Sequence, residues 1–199
     1  MDKTIYTMWK RCEKNYHDLP AIRWLVKKDI KELSYGEIAD TVTGMKKGYA
    51  ALGFSHKHIA LIGASSAEWI EAYMSVVTSD NAAVPLDSAL PAEDLVDLVY
   101  RSDSEGVFLD AKFAHLASLI KAGCPKVRKI WTICGEAAEG TESVDDLIAA
   151  GKDTAEPEPP SEDDVSMIVY TSGTTGKSKG VMLTQCNLYS NIEAILYDE

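Results

Sequence analysis

The residues whose types and spacing could do chemistry lie in one stretch, Thr171-Ser172-Gly173-Thr174-Thr175-Gly176-Lys177-Ser178-Lys179-Gly180. Its three glycines let the backbone approach a ligand closely and turn amides inward, making a nest for anionic oxygens. Hydroxyls on Thr171, Ser172, Thr174, Thr175 and Ser178 add short donors without bulk, and Lys177 and Lys179 bring the charge that phosphates require. The chemistry this suits is the holding of a polyanion. An ordinary Gly/Ser/Thr surface loop shares the composition, but an unbroken run of small, hydroxylated or cationic residues after an apolar strand disfavours it. A Walker A loop needs Gly, four residues, then Gly-Lys-Ser/Thr. Gly176-Lys177-Ser178 supplies the end of that pattern, but Thr171 stands where its first glycine belongs. The apolar stretch 181–183 also reads as a strand returning from the loop, whereas a Walker loop opens a helix. No GxGxxG occurs, so a Rossmann dinucleotide site has no support either.

The elements that position this loop can be read outward from it. Residues 165–170 alternate and are β-branched, which predicts a strand running straight into the loop. Ser161-Glu162-Asp163-Asp164 matches a helix-capping box on paper, and the strand that follows makes it a false positive. Upstream, the continuous apolar run 59–63 predicts a strand covered on both faces, and 82–86, 106–109 and 129–134 read as further strands. Helices are predicted between and after them: from Ser65-Ser66-Ala67-Glu68 to about 79, from Pro91 through Leu95, Leu98 and Val99, over 112–120, and over 144–150. Strands alternating with helices at this interval mean βαβ units. The predicted fold class is therefore α/β, a layered, mostly parallel sheet with helices on both faces, its strand order left open.

The first 55 residues have another rhythm. Ile5, Met8, Trp9, Cys12 and Tyr16 recur at helical spacing, and 21–27 and 30–33 read as two short strands around a Lys28-Asp29 turn. Ser34-Tyr35-Gly36-Glu37 is a capping box, Ile38, Val42, Met45 and Tyr49 form a buried stripe, and Gly53 is placed to end that helix. The expected organisation is thus 1–55, a helix, short strands and helix packing on a further part of the protein; 56–150, a βα-repeating subdomain; 151–164, a linker; and 165–199, strand, loop, strand and the start of a helix.

Composition sets the outer bounds. The 199 residues are 46% hydrophobic and 26% charged, the balance of a globular protein with a real core. The formal charge of -11 argues against a nucleic-acid partner, which needs a basic footprint on the phosphates. Residues 136–164 hold 11 acids and one base, so nearly all the imbalance sits in one stretch, and Glu156-Pro157-Glu158-Pro159-Pro160 at its centre predicts a stiff exposed connector. No apolar run is long enough to span a membrane, and the N-terminus has no apolar core of a signal peptide. Cys12, Cys124, Cys134 and Cys186 show no metal-site spacing, which fits reduced thiols in a cytoplasmic protein and no resident metal site.

With the loop and its strands in place, Tyr170 to Val181 closely resembles the signature loop of the adenylate-forming (AMP-binding, acyl-CoA synthetase-like) superfamily, which includes luciferases and peptide-synthetase adenylation domains. Met182-Leu183-Thr184-Gln185-Cys186-Asn187-Leu188 is similar to the stretch that follows there. The segment 59–87, with Glu68-Trp69 and Ala83-Val84-Pro85-Leu86-Asp87, looks most like fatty acyl-CoA synthetases, and the opening helix and Leu33-Ser34-Tyr35 suit the family's N-terminus. The resemblance implies a two-step reaction: a carboxylate attacks the α-phosphorus of ATP, releasing pyrophosphate, and a thiol, usually that of coenzyme A, then takes the acyl group. By position, Thr171, Ser172, Gly173, Thr174, Thr175 and Gly176 are implied to wrap the β- and γ-phosphates of ATP, and Lys179 to be the charged contact. Lys177 falls at a variable position and is expected to face solvent. Two residues depart from the pattern: Ser178 stands where Pro is usual, and Gln185 where His is common.

The family's adenine-stacking and Mg²⁺-holding motif, its ribose-binding aspartate, acyl pocket and catalytic lysine lie beyond the positions this sequence covers. The resemblance therefore implies the N-terminal portion of a longer ligase, without a catalytic residue of its own and inactive alone. Mg²⁺ and coenzyme A would bind mainly through other parts, and apolar surface left open favours self-association of the isolated chain. A reading of another class also stands: a module that holds a nucleotide or anion without catalysis. A Walker-type NTPase is disfavoured by Thr171 and by the strand after the loop.

Overall fold

The computed structural model describes residues 2–171 and 178–197. The chain opens with α1 (Ile5–Tyr16), capped by the Thr4 hydroxyl, which accepts from the Thr7 amide. A hairpin of β1 (Pro20–Val26) and β2 (Asp29–Ser34) follows, with Val26 paired to Asp29. Its turn is therefore Lys27-Lys28, one residue earlier than predicted, and Lys27 takes a left-handed φ of 57°. The capping box forms as read: Ser34 Oγ accepts from the Glu37 amide at 3.1 Å while the Glu37 carboxylate accepts from the Ser34 amide at 2.8 Å, starting α2 (Tyr35–Ala51). Gly53, at φ 68°, turns the chain out of that helix.

The βα series then builds β3 (His58–Ile62), α3 (Ala67–Val77), β4 (Ala82–Leu86), α4 (Ala92–Arg101), β5 (Gly106–Asp110), α5 (Leu116–Gly123), β6 (Lys129–Ile133), a short β7 (Glu142–Ser143) and α6 (Val144–Ala150). Where one helix over 112–120 was predicted, Asp110 accepts from the Lys112 amide at 3.0 Å and nucleates a 3-10 turn, Ala111–Phe113, ahead of α5. The chain closes with β8 (Val165–Thr171), β9 (Lys179–Thr184) and α7 (Gln185–Tyr197). The main sheet runs β7-β6-β5-β3-β4-β8-β9, parallel throughout except for the antiparallel β8–β9 edge. The mostly parallel α/β architecture expected from the alternation is what the chain adopts.

Both faces of this sheet are covered, which is why its central strands read as continuous apolar runs. Along β3, Ala60 and Ile62 join the core with Leu95, Leu98, Val99 and Ile120, while Ile59 and Leu61 join Met45, Tyr49, Phe108 and Trp131 on the other side. The stripe on α2 packs within this chain, against α3, α6 and the sheet. Residues 151–164 are largely exposed and are tied to the rest of the chain at a few points. Gly151 is buried against Gly48 where α2 and α6 cross, Pro160 is buried, and Glu156 accepts from Lys46 at 2.6 Å. Lys46 is itself buried and lies over the Tyr6 ring at 4.7 Å, and that burial pulls its ammonium below the usual lysine range. Composition reported the acids of this stretch but not the cation they face.

Candidate functional site

Strand polarity decides where the loop opens. β8 runs parallel to β4, with Met167 opposite Ala83, so the chain leaves β8 on the side of the strands' carboxyl ends, where open α/β sheets place their ligands. It returns as β9, with Tyr170 opposite Gly180 and Thr171 opposite Lys179. Of the residues singled out in the sequence, Thr171 and Lys179 are therefore brought face to face as the last and first rungs of a hairpin. Both are exposed, and the Thr171 hydroxyl donates to the Lys179 carbonyl at 3.5 Å. Ser172, Gly173, Thr174, Thr175 and Gly176, with Lys177, lie outside the described residues. Gly180 belongs to the stem and not to the loop: a Cβ there would come within 3.1 Å of Ile168 Cγ2 and 3.5 Å of the Tyr170 ring. This glycine makes room for the ring packed across from it.

One side chain at this hairpin had no signal in the sequence. Arg101, in the last turn of α4, donates from Nη2 to the Ser178 carbonyl, and its guanidinium carbon lies 5.7 Å from the centre of the Tyr170 ring. Asp97, one turn back, accepts from Nη1 at 3.3 Å. Burial pushes the Tyr170 phenol up and the Arg101 charge works against that rise. Arg101 and Lys179 thus put two cations at the hairpin base, and residues 165–192 contain no acid.

Behind the hairpin sits a buried polar hub, also missed by sequence reasoning. Gln185 is fully buried; its Oε1 accepts from the Ile5 amide at 2.9 Å, and its Nε2 donates to the Val77 carbonyl at 2.8 Å and to Ser166 Oγ at 3.1 Å. One amide therefore ties the first turn of α1, the end of α3 and β8 together. Nothing local to Gln185 announces this. The only hint was its departure from the residue common at that place in the resembled loop. Thr184 and Asn187 then cap α7 reciprocally, Asn187 Oδ1 accepting from the Thr184 amide at 3.0 Å and Thr184 Oγ1 from the Asn187 amide at 3.3 Å.

A second opening lies past the carboxyl end of β6. A cavity of about 340 Å³ between α2, α3 and α6 is lined by Glu68, Glu71 and Asp145 together with Thr41, Cys134 and Ile148. Glu68 and Asp145 sit in the first turns of α3 and α6, where carboxylates are stabilised by the helix dipole. Burial raises the Glu71 carboxyl above its ordinary range, partly opposed by a hydrogen bond with Thr41. An acid-lined cavity repels a polyphosphate. Among the described residues no group of three or more His, Cys, Asp or Glu is placed to hold a metal ion, none of the four cysteines is paired in a disulfide, and no helix is long and apolar enough to cross a membrane.

Comparison with known proteins agrees with this architecture. The chain is 29% identical over 177 residues to the ferrichrome siderophore peptide synthetase of Mycosarcoma maydis, covering 86% of this chain and 4% of that protein. It is 30% identical over 186 residues to long-chain-fatty-acid–CoA ligase 5 of Mus musculus, covering 83% of this chain and 27% of that one. The chain thus spans only a small part of the length of these relatives. Among solved structures, the anthranilate CoA ligase AuaEII in complex with anthranoyl-AMP superposes with a TM-score of 0.84 over 99% of this chain and 37% of its own, at 19% identity, a likeness of fold. The model of the AMP-binding enzyme family matches residues 9–199, from the first helix through the hairpin, and the chain belongs to that family.

Proposed function

We propose that this chain is the phosphate-holding portion of an ATP-dependent carboxylate–CoA ligase that forms an acyl-adenylate and then an acyl-CoA, with a fatty acid as the carboxylate. The observation that carries this reading is the hairpin: a parallel strand leads into the hydroxyl- and glycine-rich loop, and Thr171 and Lys179 meet at its base beside a second cation, Arg101. The donor set fits a polyphosphate, because residues 171–180 supply hydroxyls, glycine backbone and two lysines in sequence and no acid occurs from 165 to 192. In this reading Thr171, Ser172, Gly173, Thr174, Thr175 and Gly176 wrap the β- and γ-phosphates and Lys179 supplies the charged contact.

Attack of the carboxylate on the α-phosphorus makes pyrophosphate the leaving group. Holding its two phosphates in place stabilises the charge that develops there as the bond to the α-phosphorus breaks. Mg²⁺, when bound, adds neutralisation of the same phosphates. Coenzyme A then accepts the acyl group through its thiol, and AMP departs. Both Mg²⁺ and coenzyme A bind in this reading mainly through parts of the enzyme other than this chain, which alone does not turn over. The fatty-acyl assignment draws on the 59–87 segment and on the long-chain ligase among the relatives.

The test is carboxylate-dependent exchange of labelled pyrophosphate into ATP by the enzyme of full family length, over a panel of straight-chain and aromatic acids. Exchange that requires a straight-chain acid is the expected result. Exchange supported by aromatic acids alone overturns the fatty-acyl part, and ATP binding without any carboxylate-dependent exchange overturns the ligase reading in favour of a non-catalytic module.

A further inference from the structure

We infer that Arg101 is a positioning residue for the phosphate loop, bracing both strands of its stem from outside the hairpin. The inference rests on the phosphate-holding reading above and extends it to a helix that the loop's own sequence does not include. The β8–β9 ladder alone gives the stem little to lean on. Four of the six β9 residues are exposed, and Thr171 and Lys179 are the last paired rungs before the loop. An exposed stem must be ordered when a ligand is held at its end, and that ordering costs binding energy.

Arg101 bears on each strand by a different contact. On the returning strand its Nη2 donates to the carbonyl of Ser178, the residue just before β9. On the incoming strand its guanidinium faces the Tyr170 ring at 5.7 Å, one residue before Thr171. That ring lies against the position of Gly180, so the order across the stem is glycine, phenol ring, guanidinium. Asp97 accepts from the other terminal nitrogen at 3.3 Å and aims the fork, and its place one turn back on α4 makes Arg101 an extension of a helix packed on the sheet core. A guanidinium serves carbonyl, ring and carboxylate together in one fixed geometry because it is planar and its five donors form a rigid fork, whereas an ammonium is a point charge that fixes no such geometry. Arg101 touches none of the reacting atoms in this account. It restricts where the stem can go, so that less order remains to be imposed when ATP binds.

The test compares Arg101→Ala and Arg101→Lys with Lys179→Ala in the enzyme of full family length, by amide hydrogen exchange and by pyrophosphate-exchange kinetics. In Arg101→Ala the amides of residues 178–180 should exchange roughly tenfold faster without ligand, and KM for ATP should rise on the order of tenfold with kcat changed far less, the pattern of lost binding order. Arg101→Lys should fall between, since it keeps the charge but loses the fork. Asp97→Asn, which leaves Arg101 in place but unaimed, should shift both readouts the same way and less. Unchanged amide exchange in Arg101→Ala overturns the inference whatever the kinetics show. Faster amide exchange with an unchanged KM for ATP, while Lys179→Ala abolishes pyrophosphate exchange, also overturns it, because the stem is then braced to no effect on the ligand. If Lys179→Ala leaves pyrophosphate exchange intact, the phosphate-holding reading falls, and amide exchange alone decides whether Arg101 braces the stem.

Discussion

Two openings follow the carboxyl ends of parallel strands in this chain, and they are opposite in charge. Past β6 lies a walled cavity of about 340 Å³ bearing Glu68, Glu71 and Asp145. Past β8 lies an exposed hairpin bearing Lys179, with Arg101 at its base. Size and enclosure favour the first as a ligand site; electrostatics favours the second for a polyphosphate. On the proposed reading this contrast makes concavity a poor guide, since a polyphosphate site needs donors and open access more than walls. It also separates stability from function. The cavity is roofed by helices that pack on the core, whereas the hairpin meets the core only through β8, which pairs with β4 and buries Ile168, and its β9 edge is mostly exposed.

That separation can be broken by mutation. The largest stability effect should come from Trp131→Ala. Trp131 is fully buried on β6, with ring centres of Phe108 and Phe54 at 5.1 Å and 5.4 Å. Removing it should cost about 3–5 kcal/mol in denaturant unfolding. The same experiment on Thr171→Ala at the hairpin should register below about 0.5 kcal/mol; comparable losses would erase the distinction. Next comes Gln185→Ala, which strands the buried Ile5 amide and leaves the Val77 carbonyl only its longer contact from Ser166 Oγ at 3.4 Å, and should cost about 2–3 kcal/mol. A loss under half of that would mean water replaces the hub.

A smaller effect than that of Gln185 belongs to the cavity. Burial holds the Glu71 carboxyl above its usual range in the folded chain, so between the ordinary glutamate value of about 4.3 and that raised value the folded state binds more protons than the unfolded. Stability is therefore lost as pH rises through this window. Glu71→Gln should be neutral near pH 4 and stabilising at pH 7, by less than about 1 kcal/mol because the side chain is only partly buried. Destabilisation at pH 7 would mean that the Thr41 hydrogen bond to the carboxylate outweighs its burial.

How much of this was legible in the sequence follows from the distance over which each feature is determined. The Ser34 capping box, the strand into the loop and the alternation of β3 to α6 are set by neighbours a few residues apart, and they were readable. Strand order was not, because β8 comes to lie beside β4 through contacts some 80 residues distant in sequence. Arg101 and Ser178 are 77 residues apart, and Lys46 and Glu156 are 110 apart, so neither pair has a local signature. Composition counts the acids of 151–164 without their partners, so the contact of Glu156 with Lys46 had no signal there. Within the loop, Thr171 and Lys179 could be named from type and spacing, but that they face each other needs the register of the hairpin.

The central claim is that the β8–β9 hairpin holds the phosphates of ATP, and Lys179→Ala tests it most directly. In the enzyme of full family length this change should lower carboxylate-dependent pyrophosphate exchange by on the order of a hundredfold or more while leaving unfolding stability within about 0.5 kcal/mol. Exchange at the wild-type rate in a fully folded variant would contradict the account.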